Sequence, residues 1–353
     1  MTALLDKLKK NSTIKDTSIL ADSKFFNAKD VIQTPVPMIN VALSGRLDGG
    51  LVPGLTMFAG PSKHFKTAFA LLLAKAYLDK YEDAVVLFYD SEFGSPQSYF
   101  NSFGIDTKKV VHTPITDIEQ LKHDSMAQLN NIERGDHVIV IVDSVGNLAS
   151  KKEVEDALDG KSVADMSRAK QMKSLFRMVT PHLTLKDIPM VVVNHTYKEI
   201  GMFPKDIVSG GTGSYYSADN IYIIGRQQEK EGTELTGYNF IINVEKSRHV
   251  REKSKIPVEV SFEGGISKWS GLLDVALEGG FVVKPSNGWY SRAGDDQKFR
   301  AKDTYTKEFW LPVLSNKEFQ DFIAKKYQIS GSDLMGRDMS NEEVEVEYAS
   351  AEE

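Results

Sequence analysis

Residues 60–67 read Gly60-Pro61-Ser62-Lys63-His64-Phe65-Lys66-Thr67. An apolar run, residues 55–59, precedes this stretch, and the strong helix formers of residues 68–76 follow it. The order strand, loop, helix is the context of a phosphate-binding loop. In such a loop the amides and the helix N-terminus face a triphosphate, Lys66 reaches its β and γ oxygens, and the Thr67 hydroxyl holds Mg²⁺. All eight residues are therefore predicted to bind a nucleotide.

Phe65 departs from the general form of this motif, which has glycine at the same position. Glycine tolerates backbone angles that are costly for a bulky side chain, so the strict pattern fails here. The relaxed form, Gly-x5-Lys-[Ser/Thr], should arise by chance about 0.2 times in a chain of this length with average residue usage. The spacing alone is therefore a weak indication, and the flanking strand and helix strengthen it.

The composition is typical of a soluble globular protein. The 353 residues are 41% hydrophobic and 26% charged, which suits one large core domain with smaller terminal attachments. No apolar run approaches the ~20 residues that span a bilayer, and the N-terminus lacks a signal-peptide pattern. The absence of cysteine excludes disulfides, and the seven histidines show no paired zinc-ligand spacing. We expect a cytoplasmic protein with no membrane partner.

The net charge of −6 is unevenly distributed along the chain. Residues 338–353 contain seven acidic residues and no Lys or Arg, so the rest of the chain carries about +1. Such acidity favours a solvated, disordered tail. A second interpretation is that the tail competes with nucleic acid for the basic surface of the body. The acidic overall balance therefore does not exclude nucleic acid as a partner.

The central part of the chain alternates predicted strands and helices. The strands are predicted at 55–59, 84–90, 138–143, 190–194, 220–224, 238–244 and 256–262, and the helices at about 66–80, 117–133, 163–179 and 272–278. The first four strands are continuous, mostly β-branched or aromatic runs, which are typical of strands buried on both faces of a parallel sheet. This pattern predicts a doubly wound α/β fold with ligands at the carboxyl ends of the strands.

Polar residues follow three of these strands where the strands end. Asp143 ends a buried apolar strand, which near a phosphate-binding loop is typical of a Walker B site that holds Mg²⁺. Asp143 could instead cap the next helix. Glu92 is predicted to orient and deprotonate an attacking water, or else to be a surface carboxylate. His195 is predicted to contact the γ-phosphate, or else to be a buried, hydrogen-bonded histidine.

Two segments, 149–167 and 196–216, are predicted to be mobile binding loops, because loops this long are uncommon unless they are functional or disordered. Their glycines, aromatics and cations suit a DNA backbone threaded past apolar side chains. The alternative is a lid over the nucleotide, and the two roles are compatible. The candidate DNA-binding residues are Lys151, Lys152, Arg168, Lys198, Phe203, Gly210, Gly211, Thr212 and Gly213.

Residues 245–255 form a basic segment between two predicted strands, with five cations against two acidic residues. One interpretation is a solvated hairpin. The other is a cationic turn that completes the ATP site of a neighbouring subunit, as arginine fingers do.

Taken together, these motifs resemble the RecA-type recombinases, and most closely the UvsX branch of tailed phages. The segments that carry the resemblance occur in family order and are 44–54, 60–67, 89–92, 143–144, 194–195 and 246–248. The resemblance covers roughly residues 20–280, and Phe65 matches the variant of the phage branch. It implies a RecA-like P-loop ATPase core at 33–265. It also implies that the N-terminal arm (1–32) is the polymerisation element. Beyond the core, the sequence pattern predicts a small C-terminal region (266–337) and the acidic tail (338–353).

The resemblance implies roles for the residues of the nucleotide site. Lys66 and Thr67 would bind phosphates and Mg²⁺, and Asp143 would support the metal ion. Glu92 would be the catalytic base. Tyr99 lies where the family stacks an aromatic ring on adenine.

The resemblance also extends to sensing, DNA binding and assembly. Most RecA-type proteins have Gln at the position of His195. This chain therefore departs from the family pattern at the residue that would sense the γ-phosphate. Residues near 150–168 and 196–214 correspond to the two DNA-binding loops. Lys246 and Arg248 correspond to cations that reach ATP across a subunit interface.

The expected function is a DNA-dependent ATPase that forms a helical filament on single-stranded DNA and exchanges strands with a homologous duplex. ATP and Mg²⁺ are the expected cofactors, with a mediator and a single-strand-binding protein as partners in the host cytoplasm. A ring-forming helicase motor and a non-hydrolysing mediator are the alternatives. The presence of both Glu92 and Lys66 argues against the mediator.

Overall fold

The structure is a computed structural model, which describes residues 3–25, 30–160, 167–199 and 206–329. The strands in these residues are β1 (Gly54–Ala59), β2 (Val85–Asp90), β3 (Val110–Pro114), β4 (Val138–Asp143), β5 (Pro189–Asn194), β6 (Thr196–Lys198), β7 (Asp206–Val208), β8 (Asn220–Glu231), β9 (Glu234–Lys246), β10 (Lys255–Ser261), β11 (Gly265–Ile266), β12 (Val282–Ser286), β13 (Trp289–Arg292) and β14 (Phe299–Arg300). The α-helices are α1 (Ala3–Asn11), α2 (Pro37–Ser44), α3 (Lys66–Lys80), α4 (Gln97–Ser102), α5 (Ile118–Asn131), α6 (Lys151–Leu158), α7 (Ser167–Lys186), α8 (Thr212–Ser217), α9 (Leu272–Glu278), α10 (Lys307–Leu314) and α11 (Lys317–Tyr327).

A mostly parallel sheet of nine strands lies at the centre, in the order β11-β10-β9-β8-β1-β5-β4-β2-β3. The six strands from β8 to β3 run parallel, while β9, β10 and β11 extend the sheet in antiparallel fashion. Every residue of β1, β4 and β5 is buried, as expected for parallel strands covered by helices on both faces. The doubly wound α/β prediction is therefore confirmed.

Two hydrophobic cores fill the two faces of the sheet, because successive strand residues point in opposite directions. Phe58 of β1 packs with its ring centroid 5.5 Å from that of Phe69 on α3, in the first core. Its neighbour Met57 belongs to the second core, together with Phe176 of α7. The strand that leads into residues 60–67 is thus fixed from both sides.

The C-terminal helices pack against the same core as the central sheet. Phe309 and Trp310 of α10 and Phe319 of α11 are buried in one cluster with Met38 of α2 and with residues of α3. The three-stranded sheet β12-β13-β14 lies beside them. At the other end of the chain, α1 buries none of its residues. In the described part of the chain no helix is both long enough and apolar enough to cross a membrane.

The predicted loop at 149–167 is wrong in its first half, because α6 occupies Lys151–Leu158. Ser150 caps this helix in a capping box with Glu153, and that signal is readable in the sequence. The predicted loop at 196–216 contains the β6–β7 hairpin and α8. Residues 161–166 and 200–205 of these two segments lie outside the described residues.

Candidate nucleotide-binding site

Residues 60–67 connect β1 to α3 at the carboxyl edge of the sheet, as predicted. Gly60 has a φ of 155°, and a Cβ atom there would lie 3.0 Å from the Ile224 carbonyl oxygen, so the position requires glycine. The Lys66 side chain is buried and its Nζ donates a hydrogen bond to the Pro61 carbonyl at 2.8 Å. Burial lowers the pKa of Lys66, although the charges of Glu92 and Asp143 oppose that change. The ammonium group is thus held inside the loop, where a phosphate would lie.

Phe65 adopts the backbone conformation that glycine provides in the general motif, with a φ of 62°. Its ring stacks on Phe240 of β9, with centroids 4.7 Å apart and planes inclined by 15°. The edge of a second ring, Phe69 on α3, meets it at 5.5 Å. Aromatic contacts of this kind offset the cost of a left-handed backbone. The substitution is therefore accommodated by packing, and its partner Phe240 is distant in sequence.

A second contact joins the loop to the same hairpin. Arg226 of β8 donates to the Lys63 carbonyl oxygen at 3.2 Å, and its guanidinium lies 4.8 Å from the centre of the Tyr238 ring. Lys63 also has a positive φ, of 59°. The β8–β9 hairpin thus supports two of the strained residues of the loop.

Thr67 and Asp143 form the pair that the sequence predicted for a metal ion. The Thr67 hydroxyl donates to Asp143 Oδ2 at 2.9 Å, and Ser95 Oγ lies 3.4 Å from the same oxygen. Asp143 Oδ1 is buried and has no hydrogen-bond partner among the described residues. Burial raises the pKa of Asp143 to about 6. A buried carboxylate oxygen without a partner, beside a threonine hydroxyl, fits the donor set that Mg²⁺ prefers.

Glu92 and His195 meet at the same edge of the sheet. His195 Nε2 donates to Glu92 Oε1 at 2.9 Å, and Ser144 Oγ donates to the same oxygen at 2.6 Å. The hydrogen bond from His195 is the main cause that lowers the pKa of Glu92, and Ser144 adds to it. Glu92 is therefore ionised at neutral pH, as a catalytic base must be. Ser144 belongs to the segment 143–144 that carries the resemblance, but the sequence analysis assigned it no role in the site.

A cavity of about 380 Å³ lies between residues 62–68 and the side chains of Glu92, Tyr99, Asp143 and His195. The structure therefore brings together the predicted catalytic and nucleotide-binding residues of the carboxyl edge. The Tyr99 ring is half-buried at this cavity on α4, where it would have to lie to contact a base.

Lys246 and Arg248 lie at the opposite, amino edge of the parallel strands. Lys246 Nζ donates to the carbonyl oxygens of Tyr215 and Ala218, both at 2.8 Å, and so caps the end of α8. Arg248 pairs with Asp219 at 2.5 Å, and its side chain is mostly exposed. Neither cation lines the cavity of its own subunit.

The candidate DNA-binding residues that the structure describes lie on α6, in the β6–β7 hairpin, at the start of α7 and at or just before the start of α8. Lys151 and Lys152 lie on α6, and Lys198 pairs with Asp206 across the β6–β7 hairpin at 2.9 Å. Phe203 lies outside the described residues. After the hairpin, Gly210 and Gly211 have positive φ angles, and Thr212 and Gly213 begin α8. Three of these stretches meet at the start of α7, where Ser150 Oγ lies 2.6 Å from Ser167 Oγ and Arg168 lies 3.4 Å from Ser209 Oγ.

Arg168 has a different environment from the other candidates. Its guanidinium donates to the carbonyl oxygens of Val145, Gly146 and Leu148, at 2.8 to 3.1 Å, and lies 3.4 Å from Ser209 Oγ. It therefore fastens the start of α7 to the turn after β4. This contact depends on the fold, and no local pattern indicated it.

A run of hydrogen bonds connects the cavity to the segment after the hairpin. The Ser209 amide donates to the His195 carbonyl oxygen at 2.9 Å, and Asn194 Nδ2 donates to the Ser209 carbonyl oxygen at 2.8 Å. The buried Asn194 also accepts the His195 amide at 2.8 Å. His195 therefore contacts Glu92 through its side chain and the base of the hairpin through its backbone carbonyl.

The strand, loop and helix around residues 60–67, with acidic side chains at the carboxyl ends of neighbouring parallel strands, are the arrangement of a nucleotide-binding α/β protein with a RecA-like core. The family model for the RecA N-terminal domain matches residues 5–267. A second model, described as Bacteriophage T4, Recombination and repair protein, C-terminal domain, matches residues 269–323.

Similar proteins agree with these two matches. The recombination and repair protein of Enterobacteria phage T4 is 52% identical over an alignment of 357 positions, which covers 98% of this chain and 90% of that protein. The RecA proteins of Rhodococcus jostii (strain RHA1) and Rhodococcus opacus (strain B4) are 27% and 28% identical. Those matches cover 82% and 84% of this chain and 82% of each relative. The chain therefore belongs to the RecA family of recombinases, in its phage branch, which confirms the resemblance found in the sequence.

Proposed function

We propose that this chain is an ATP-dependent recombinase that forms helical filaments on single-stranded DNA and catalyses homologous pairing and strand exchange. The observation that carries the proposal is the cavity in which Lys66, Thr67, Asp143 and Glu92 converge, in a chain of the RecA family. It acts in recombination, repair and replication, in the cytoplasm of the host cell. A mediator and a single-strand-binding protein are its proposed partners.

ATP and Mg²⁺ are the proposed cofactors. The amides of residues 60–67 and the Lys66 ammonium group bind the β- and γ-phosphates, and Tyr99 contacts the adenine. Thr67 and Asp143 hold Mg²⁺, which neutralises charge on the phosphate oxygens when it is bound. The support for this assignment is the unpartnered Asp143 Oδ1, on the carboxylate whose other oxygen accepts the Thr67 hydroxyl.

Glu92 acts as the base that orients and deprotonates the attacking water. Its Oε1 atom accepts the hydrogen bonds from Ser144 and His195, and neither bond uses Oε2. We therefore assign Oε2 to the water. His195 lines the same cavity as the phosphate loop, and so it can respond to the γ-phosphate through its hydrogen bond to Glu92.

Assembly would place the amino edge of one subunit against the nucleotide cavity of the next. Lys246 and Arg248 lie at that edge and away from their own cavity, as cations that act on a neighbour must. The helix α1 exposes Leu4, Leu5 and Leu8, which suits an arm that is buried only on another subunit. We propose that ATP is enclosed at this interface.

DNA binding is assigned to the segments 150–168 and 196–214, with single-stranded DNA in the filament and the homologous duplex as second substrate. The hydrogen bond between His195 and Ser209 joins the second segment to the ATP cavity. Hydrolysis would then weaken the DNA-binding state through that segment. Affinity should fall with salt, because phosphate contacts dominate binding that is independent of sequence.

The test is the ATPase rate with and without single-stranded DNA, together with electron microscopy and a strand-exchange assay. We expect DNA-stimulated turnover on helical filaments, with pairing that requires homology. Glu92→Gln should keep ATP and DNA binding but lose at least about 100-fold in turnover. Glu82→Gln, which removes an exposed carboxylate ten residues earlier, is the matched control and should behave as wild type.

Other results would favour the alternatives. Unwinding by closed rings without a need for homology would indicate a helicase motor. Filaments or DNA complexes without any turnover in the wild type would indicate a mediator. Normal hydrolysis by Glu92→Gln would show that the catalytic assignment is wrong.

A further inference from the structure

Asp90 is a buried carboxylate that the proposed mechanism does not use. It ends β2 and is 3% exposed. Its Oδ1 atom accepts two backbone amides of the following turn, that of Glu92 at 3.1 Å and that of Phe93 at 2.7 Å. The side chain of Asp90 therefore holds the main chain from which the proposed base projects.

Among the residues that the structure describes, the other oxygen of Asp90 has one partner, which lies on the edge strand. His112 of β3 donates from Nε2 to Asp90 Oδ2 at 3.0 Å, and its side chain is half-exposed. Its ring packs against Phe88 of β2, with centroids 5.9 Å apart. A buried carboxylate is costly unless its oxygens are hydrogen-bonded, and here all three bonds come from the turn and from His112. His112 thus fixes the orientation of the carboxylate.

The turn that Asp90 holds has an unusual backbone. Phe93 has a φ of 53°, which is costly for a bulky residue, and its side chain is 61% exposed, so packing contributes little to its position. A short side chain that accepts amides two and three residues ahead is the standard way to stabilise such a turn. The geometry of this turn therefore depends on the Asp90 carboxylate.

From these contacts we propose that Asp90 is the positioning residue for Glu92 and that His112 orients Asp90 for this task. The inference rests on the proposed function, in which Glu92 is the base. Ser144 and His195 hold the carboxylate end of Glu92, and Asp90 holds its backbone end. Both ends must be fixed, because a displacement of about 1 Å at a reacting group can cost roughly 100-fold in rate.

Four variants separate positioning from simple folding. Asp90→Ala removes the acceptor for both amides, whereas Asp90→Asn keeps an oxygen that can accept them. His112→Phe keeps a ring against Phe88 but removes the donor, whereas His112→Gln keeps a donor. The two His112 variants lie at a half-exposed position on the edge strand, so they test the proposal even where Asp90→Ala fails to fold.

The experiment is steady-state ATP hydrolysis by the full chain on single-stranded DNA, with the affinity for a fluorescent ATP analogue and thermal melting measured in parallel. We expect Asp90→Ala to lower kcat about 100-fold while KM for ATP changes less than about threefold. Asp90→Asn should recover at least about tenfold of that loss. His112→Phe should lower kcat about fivefold or more, and His112→Gln should restore it.

Wild-type kcat in both Asp90→Ala and His112→Phe would overturn the inference. The inference would also be overturned if kcat, ATP affinity and melting temperature fell together in all four variants and neither Asp90→Asn nor His112→Gln restored them. Glu92→Gln in the same assay separates this failure from failure of the proposed function. If Glu92→Gln is inactive while Asp90→Ala is fully active, only the positioning role is wrong, whereas an active Glu92→Gln refutes the base itself.

Discussion

Replacing Phe65 with glycine should destabilise this protein, although glycine is the residue of the general P-loop pattern. The change removes the strain of a left-handed backbone at φ 62°. Such strain costs about 1 kcal/mol for a non-glycine residue, and a glycine at this position would recover it. The same change removes a ring that stacks on Phe240 and meets Phe69 edge-on.

The loss of packing should exceed the relief of strain. Truncation of a fully buried phenylalanine costs about 3–5 kcal/mol, and the half-buried Phe65 should cost about 2 kcal/mol. The two aromatic pairs add about 1 kcal/mol beyond the buried area. The net effect is a destabilisation of about 2 kcal/mol. At an unfolding entropy of about 2.1 cal/mol/K per residue, this corresponds to a melting temperature about 3 °C lower.

The assay is thermal unfolding of the chain without nucleotide, followed by circular dichroism. Phe65→Leu is the matched control, since it keeps the strained backbone and an apolar side chain but loses the stacking. A double-mutant cycle with Phe240→Leu should give a coupling energy of about 1 kcal/mol. A Phe65→Gly variant that melts at or above the wild-type temperature would refute this reasoning, because strain would then outweigh the aromatic contacts.

Two further predictions concern assembly and DNA binding. Replacing Lys246 and Arg248 with Ala should lower the DNA-stimulated ATPase rate by about 100-fold or more while the subunit still folds, and full activity would remove their role at the interface. Because Lys246 also caps α8, Arg248→Ala alone is the cleaner variant, and melting curves should accompany both. Deleting 338–353 should tighten duplex-DNA binding, most at about 0.01 M salt where the Debye length is about 30 Å, as measured by fluorescence anisotropy. Equal affinities of the two forms at low salt would exclude competition by the tail.

The sequence predicts the parallel core well because its strands carry the strongest signal. The segments 138–143 and 190–194 are continuous apolar runs, and burial on both faces is what such runs indicate. The edge strand Val110–Pro114 lacks that signal, since it contains exposed residues, a histidine and a proline. The helix Lys151–Leu158 buries no residue, so its apolar face (Val154, Ala157 and Leu158) is not part of a core, and the helical spacing of that face and the capping box were the available signs.

The candidate site was predictable where it depends on the ends of strands. Asp143 ends its strand, and His195 and Glu92 follow theirs by one and two residues; the carboxyl ends of parallel strands meet at one edge. The contacts that support these residues depend on tertiary structure and left no sequence pattern. The packing of Phe65 on Phe240 joins two residues far apart in the chain, and local propensities carry no information on such a pair.

The hydrogen bonds around His195 bear on how hydrolysis could control DNA binding. Its side chain donates to Glu92, and its carbonyl oxygen accepts the amide of Ser209, which directly follows the hairpin strand β7. A displacement of Glu92 toward a bound phosphate would stretch the bond from His195, rotate the His195 side chain, or move the His195 backbone that accepts the Ser209 amide. Asn194 Nδ2 is bonded to the Ser209 carbonyl oxygen, so a movement of this backbone would carry the base of the hairpin with it. A ligand shifts an equilibrium by its difference in affinity for two states. In the proposed function, those two states differ in whether Glu92, still bonded through Oε1 to His195, is drawn toward the phosphate with Oε2 directed at the water, and the backbone of the hairpin responds to that displacement.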